Sequence, residues 1–389
     1  MAEKPVRNDI DTPNKIVSFP ILKGEEFVAK VSNISIEISG RCNAKCPYCA
    51  RQRFEQRYAG KNMSPILFEQ ILDHLIEIGL IHREHGRIIY LYNWGEPFLN
   101  PKINEILKIL QKNNQSGGVS SNFIKIPKID RDTLQILSEV KFSLSGFSQD
   151  SYSKIHGASL KTVLSHFEDF YELIRNYSPN TKIIIAWHRY KFNEQELFEA
   201  FQYFHRPGIH FSPSIAYLND LHEMLDYAKG ELSENRKKQA EKDLFLDHIS
   251  EGLAYHKKRS KNYLCFMWNY LVVDETGQLL LCCGMSNKDH NHILGNVLKM
   301  SSEEIWQKKL SDSICSNCIL SGVPRALGPI GHKNIPNVRL RNSIELWYHI
   351  NLTNGYLDYM YAQLGKMIRD FPWGGEKYFR KIRNIKEKY

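Results

Sequence analysis

Between Val31 and Ser214 the chain alternates short β-branched apolar runs with longer segments whose apolar residues recur at helical spacing. Val31–Ile38 reads as a first strand. Ser64-Pro65 supplies a helix cap and a first helical position. Leu67, Phe68, Ile71, Leu72, Leu75 and Ile76 then form one apolar face, closed by Gly79. Arg87–Tyr92 reads as a second strand and Ile103–Gln111 as the next helix. Further strands are predicted at Gly118–Ser121, Val140–Leu144, Lys182–Trp187 and Gly208–Phe211, with helices near Asp130–Glu139, Leu160–Arg175 and Glu194–Phe204. Strands separated by helices imply α/β architecture with a parallel sheet and right-handed crossovers. In barrels of this kind chemistry sits on the loops after the strands.

The pattern changes at Leu218. From there to Lys261 the chain is charged, cysteine-free and helical in character. It reads either as a solvated helical insertion between domains or as a lid over a substrate. Tyr263–Gly322 is a small cysteine-bearing module. In it Asn269–Val273 and Gln278–Cys282 read as a hairpin about the turn Asp274-Glu275-Thr276-Gly277, and Ser301 with Glu304 makes a capping box. Val323–Tyr389 is aromatic-rich and helical, and its basic run Lys377–Lys386 reads as a solvated terminal helix. The resulting division is 1–30 as an N-terminal extension, 31–217 as the α/β domain, 218–262 as the insertion or linker, 263–322 as the cysteine module and 323–389 as the tail.

A hydrophobic share of 42% and a charged share of 24% are those of a soluble globular protein. No run approaches the roughly 18 apolar residues of a membrane span. Met1–Lys15 lacks the apolar centre of a signal peptide. A cytoplasmic location is expected, where clustered cysteines serve as metal ligands rather than disulfides. The net charge of +9 is modest for 389 residues, and no dense basic tract precedes the end of the chain. Charge alone therefore does not predict a nucleic-acid partner.

Cys42, Cys46 and Cys49 lie in one short loop directly after the first strand, with no fourth cysteine nearby. Thiolates suit iron–sulfur clusters or zinc, and a site with three ligands keeps one position open. The spacing C-x3-C-x2-C with aromatic Tyr48 resembles the signature of the radical S-adenosylmethionine (radical SAM) enzymes. That resemblance implies a partial (β/α)6 barrel. It also implies a 4Fe–4S cluster on Cys42, Cys46 and Cys49 whose fourth iron is left for SAM. Gly95-Glu96-Pro97, preceded by Trp94, resembles the family's GGEP motif with its first glycine replaced. Ser120-Ser121-Asn122, Ser143-Leu144-Ser145-Gly146 and Asn193, each after a successive strand, resemble its ribose- and carboxylate-contacting stretches. The resemblance thus assigns SAM contacts to Tyr48, Gly95, Glu96, Pro97, Ser120, Ser121, Asn122, Ser143, Ser145 and Asn193.

A second constellation, Cys265-x11-Gly277-x4-Cys282 followed by Cys315-x2-Cys318, supplies four thiols and so a complete site. It resembles the auxiliary-cluster modules called SPASM and, in a one-cluster form, twitch. Gly295-Asn296-Val297 and Glu304-Ile305-Trp306 extend the likeness. The implied cofactors are two 4Fe–4S clusters, one binding SAM and one auxiliary; structural zinc is the alternative for the second site. Cys283 is the one cysteine left over. It is either a small core residue, an alternative ligand, or a thiol hydrogen donor to a substrate radical.

The resemblance implies reductive cleavage of SAM and hydrogen abstraction from a substrate C–H bond, with a reductant such as flavodoxin or ferredoxin. A dehydrogenase or epimerase acting on a carbohydrate or other small molecule is the first expectation. A maturase or epimerase of a ribosomally synthesised peptide is the second, and a zinc-stabilised nucleic-acid-binding protein the distant rival.

Overall fold

The computed structural model describes residues 31–53, 60–258, 265–285 and 290–327. The N-terminal extension and nearly all of the tail, including the basic run Lys377–Lys386, lie outside the described residues.

Six strands run parallel in chain order: β1 (Asn33–Ile36), β2 (Ile88–Tyr90), β3 (Ser116–Ser121), β4 (Leu137–Ser143), β5 (Lys182–Arg189) and β6 (Ile209–Ile215). The helices between them are α1 (Pro65–Glu77), α2 (Ile103–Lys112), α3 (Arg131–Leu134), α4 (Gln149–His156), α5 (Leu160–Tyr177) and α6 (Leu197–Phe204). α1 starts where its cap predicts, with Ser64 Oγ accepting from Leu67 N at 3.2 Å, and it buries Phe68, Ile71, Leu72 and Leu75. A run of aromatic side chains, among them Phe98, Phe123, Phe142, Phe167 and Phe204, packs behind the sheet. Phe98 and Phe123 belong to the loops after β2 and β3, so these buried rings anchor loops as well as strands.

Two segments depart from the sequence reading. The helix expected over Asp130–Glu139 is a single turn, because Leu137–Glu139 already belong to β4 and pair with β3 and β5. Sheet pairing on both sides overrides local helix propensity there. α4 was not anticipated; Ser148 caps it and Gly157, at φ +70°, ends it.

The sheet does not stop at β1. Strand β7 (Tyr270–Val273) lies parallel to β1 over its whole length, from Asn33↔Tyr270 to Ile36↔Val273. β8 (Gln278–Leu280) and β9 (Ile293–Asn296) follow antiparallel. The result is one open nine-stranded sheet in the order β6-β5-β4-β3-β2-β1-β7-β8-β9. The cysteine module thus continues the α/β sheet rather than standing apart from it. Asp274 Oδ1 accepts from Thr276 N and Gln278 N, and Gly277 adopts φ +84°, which together make the β7–β8 turn.

Three helices fill the segment after β6: α7 (Leu221–Lys229), α8 (Glu234–Asp243) and α9 (Leu246–Lys257). α10 (Ser302–Ser311), α11 (Ser313–Leu320) and α12 (Val323–Leu327) complete the described chain, and α10 begins with the Ser301–Glu304 capping box. The described part of the segment read as an insertion, 218–258, packs into the core. Ala240, Leu244, Leu246, Ile249 and Leu253 are buried in one cluster with Tyr48, Leu281, Ile314 and Val323.

Candidate active site

The loop after β1 carries Cys42, Cys46 and Cys49 at the C-terminal edge of the sheet. Cys49 N donates to Cys46 O at 3.2 Å, which curls the loop. Asn122 Nδ2 lies 3.7 Å from Cys42 Sγ, and His156 Nδ1 lies 3.7 Å from Cys46 Sγ. Burial pushes all three thiols up, Cys49 to about 11. Such thiols ionise when a cation takes the charge, which is the environment of a shielded metal ligand.

The loop after β2 presses on this one. Glu96 N donates to Arg41 O at 2.7 Å. Glu37 Oε1 accepts from Trp94 N at 2.7 Å and from Gly95 N. Burial and then the neighbouring Glu275 push Glu37 up to about 8. The carboxylate of Glu96 is buried and accepts from Phe98 N at 3.1 Å and Asn122 N at 2.8 Å, with burial holding its pKa near 7. Glu96 thus braces the loops after β2 and β3 against each other. Trp94, which stands where the motif has glycine, donates from Nε1 to Met285 O at 2.9 Å and so ties this loop to the cysteine module.

Of the other residues read as SAM contacts, Tyr48, Ser143 and Ser145 line the central cavity. Ser120 Oγ lies 3.2 Å from Ser143 Oγ, Ser121 Oγ accepts from Phe123 N, and Ser145 Oγ lies 3.2 Å from His188 Nδ1. Asn193 is wholly buried; its Oδ1 accepts from Tyr190 N at 2.7 Å and its Nδ2 donates to His188 O at 3.0 Å. Gly95, Glu96, Pro97, Ser120, Ser121, Asn122 and Asn193 surround the cavity's lining rather than form it.

The second cysteine set comes from three elements. Cys265 precedes β7, Cys282 follows β8, and Cys315 and Cys318 sit one turn apart on α11. Burial pushes Cys265 and Cys315 up to about 12, and the neighbouring thiols add to it. One cavity of about 530 Å³ is lined by Cys46 and Cys49 of the first set, by Cys265, Cys282, Cys315 and Cys318 of the second, and by Cys283.

A family model described as the radical SAM superfamily matches residues 36–204, and a second, described as an iron–sulfur cluster-binding domain (SPASM), matches residues 265–319. The chain carries a radical SAM domain followed by a SPASM domain. A curated relative, a probable GTP 3′,8-cyclase of Methanococcus vannielii, is 29% identical over 143 residues, which is 36% of this chain and 45% of that protein. The chain therefore spans less than half the length of that relative. Among solved structures, histidine-tagged anSMEcpe with bound AdoMet aligns at a TM-score of 0.48 and 16% identity, over 86% of this chain and 98% of the other. Streptococcus suis SuiB bound to precursor peptide SuiA aligns at 0.47 and 16%, over 75% and 70%.

The radical SAM assignment settles the cofactors as SAM and iron–sulfur clusters, and both the zinc reading of the second site and the nucleic-acid-binding rival give way to it. The donor sets fit. Three soft thiols would suit a cluster with one open iron, and four would suit a closed one. Among the described residues, no three histidine, cysteine or carboxylate groups are drawn together tightly enough to clasp a single ion. Two buried polar atoms at the cavity, His156 Nε2 and Asn93 Nδ2, have no hydrogen-bond partner, as expected where a polar ligand completes the site. No described helix is long and apolar enough to cross a membrane.

Sequence reasoning missed the residues that hold the cysteine loop from outside. Tyr48 Oη donates to Asp243 Oδ2 at 2.9 Å, and Lys154 Nζ meets Asp243 Oδ1 at 2.9 Å. Arg236 lies 4.8 Å from the Tyr48 ring centroid, donates to Pro47 O at 3.1 Å and pairs with Glu223. α7 and α8 are thereby clamped onto the radical SAM cysteine loop. Asp243→Ala removes the nearer acceptor of the Tyr48 phenol, leaving it Gln239 O at 3.2 Å, and the carboxylate partner of half-exposed Lys154, so it should lower stability by about 1–2 kcal/mol. Denaturant unfolding of the reconstituted protein checks this, and an unchanged midpoint would remove the clamp.

Proposed function

We propose that this radical SAM enzyme removes a hydrogen atom from a C–H bond of a neutral small molecule, foremost a carbohydrate, and returns one from Cys283. The net change is then epimerisation. SAM and its cluster supply a 5′-deoxyadenosyl radical when bound. The observation that carries the reading is the shared cavity. An unassigned thiol, Cys283, lines the same space as Cys46 and Cys49, 3.4 Å from Met267 Sδ. Tyr92, Trp94, Tyr217 and Tyr270 wall that space, and no charged side chain is among its described lining residues. Such walls exclude water and suit an uncharged substrate face. In this step the Cys283 S–H bond breaks as the substrate C–H bond forms. The sulfur radical left behind takes one electron and one proton from a reductant of the ferredoxin or flavodoxin class.

The peptide reading has its own support in the same walls. Aromatic and thioether side chains accept an apolar peptide side chain as readily as a sugar face. Incubation with SAM and reductant in deuterated water tests both, with neutral sugars and cyclitols in one series and peptides in another. The expected product carries one solvent deuterium at the inverted carbon. Cys283→Ala should still form 5′-deoxyadenosine but lose that deuterated product. Unchanged deuteration in Cys283→Ala would take the thiol out of the mechanism, and an oxidised product without deuterium would point to a dehydrogenase.

A further inference from the structure

α10 carries a lysine with no exposure to solvent. Lys309 is 0% exposed, a rare condition for an ammonium unless something nearby balances it. Its Nζ donates to Tyr270 O at 3.0 Å and to Leu281 O at 2.6 Å. The β7–β8 ladder ends at Val272↔Leu280, so the amine pins the two strands just beyond it, beside Cys282. The Lys309 carbonyl in turn accepts from the Cys315 thiol, at 3.8 Å from its sulfur. Two carbonyls satisfy two N–H groups, but they do not balance a charge. Burial pushes the pKa of this amine down, and the sulfurs of Cys282, Cys315, Cys265 and Cys283 are the groups that oppose that shift.

Four thiolates around a 4Fe–4S core leave the assembly negative, and reduction adds one more negative charge. Local charge and burial are among the factors that set the potentials of such clusters. We propose that the Lys309 ammonium is the built-in counter-charge of the cluster held by Cys265, Cys282, Cys315 and Cys318, and that it raises that cluster's reduction potential. The proposal rests on the iron–sulfur reading of those four cysteines. Lys309 is a positioning and tuning residue here; it touches no reacting atom.

The full chain with Cys42, Cys46 and Cys49 replaced by alanine isolates this cluster for potentiometric titration followed by electron paramagnetic resonance. Lys309→Met in that background should shift the one-electron equilibrium about tenfold against reduction, which is about 59 mV more negative. Lys309→Arg should stay near the parent. An unchanged midpoint in Lys309→Met, with its iron retained, would reduce the side chain to a structural peg and overturn the proposal. Should Lys309→Met fail to load iron, Lys309→Arg decides. Loading in the arginine variant alone supports a requirement for charge, and failure of both variants overturns it. A parent protein holding no iron at these four cysteines would overturn the cluster reading itself, which shows before any Lys309 variant is made.

Discussion

Replacing Cys42, Cys46 and Cys49 together by alanine is expected to cut the bound iron from about eight atoms to about four and to abolish 5′-deoxyadenosine formation. The two cysteine sets are separate in sequence and in attachment. The first hangs from β1, whereas the second is assembled by the segments flanking β7 and β8 and by α11. Loss of the first set therefore leaves all four thiols of the second in place. Sheet pairing between β1 and β7 does not involve the cysteine loop, so the fold should survive. Iron analysis after anaerobic reconstitution, together with chromatography of the SAM products, reads both effects. Retained 5′-deoxyadenosine formation would sink the assignment of the first set. Loss of all iron would show instead that the two sets load together.

How far this site was legible depended on how local its chemistry is. The cysteine spacings, the Ser64 and Ser301 caps and the Asp274–Gly277 turn each lie within a few residues, and the sequence displays them directly. β4 was misread at Leu137–Glu139 because pairing with β3 and β5 comes from distant segments. The clamp was invisible for the same reason, since Tyr48 and Asp243 are separated by 195 residues. His156 and Lys309 carry no motif at all. Each matters because a fold brings it, buried, beside a cysteine thiol or its carbonyl contact. Trp94 is the instructive case between these extremes. Its place in the Gly95-Glu96-Pro97 motif was plain, but the reason for an indole there is a carbonyl at Met285, in the other module.

Gly95→Ala is expected to disable the first cluster site as thoroughly as removing a ligand, although a methyl group adds no charge and removes no donor. A Cβ on Gly95 would lie 1.8 Å from Ser39 O and 3.1 Å from Arg41 O. Both are backbone atoms, so no side chain can rotate away. The opposing chain is itself confined: a Cβ on Gly60 would come within 1.9 Å of Gly40 O, and one on Gly40 within 2.1 Å of Glu275 Oε1. Ser39–Arg41 therefore cannot retreat from an alanine at 95, and the displacement passes to Cys42 next in the chain. The Glu96–Arg41 hydrogen bond at 2.7 Å is lost with it. Overpacking of this kind ordinarily costs about 1–3 kcal/mol, and with backbone on both sides the upper part of that range applies. Gly230→Ala is the matched control. Gly230 has φ +80° at a helix end, with nothing within 4 Å of a Cβ, so its substitution bears only the strain of a left-handed residue, about 1 kcal/mol. Iron content and SAM cleavage should fall sharply in Gly95→Ala and stay at the parental level in Gly230→Ala. Equal activity in the two variants would mean that the close approach of these loops is not what shapes the site.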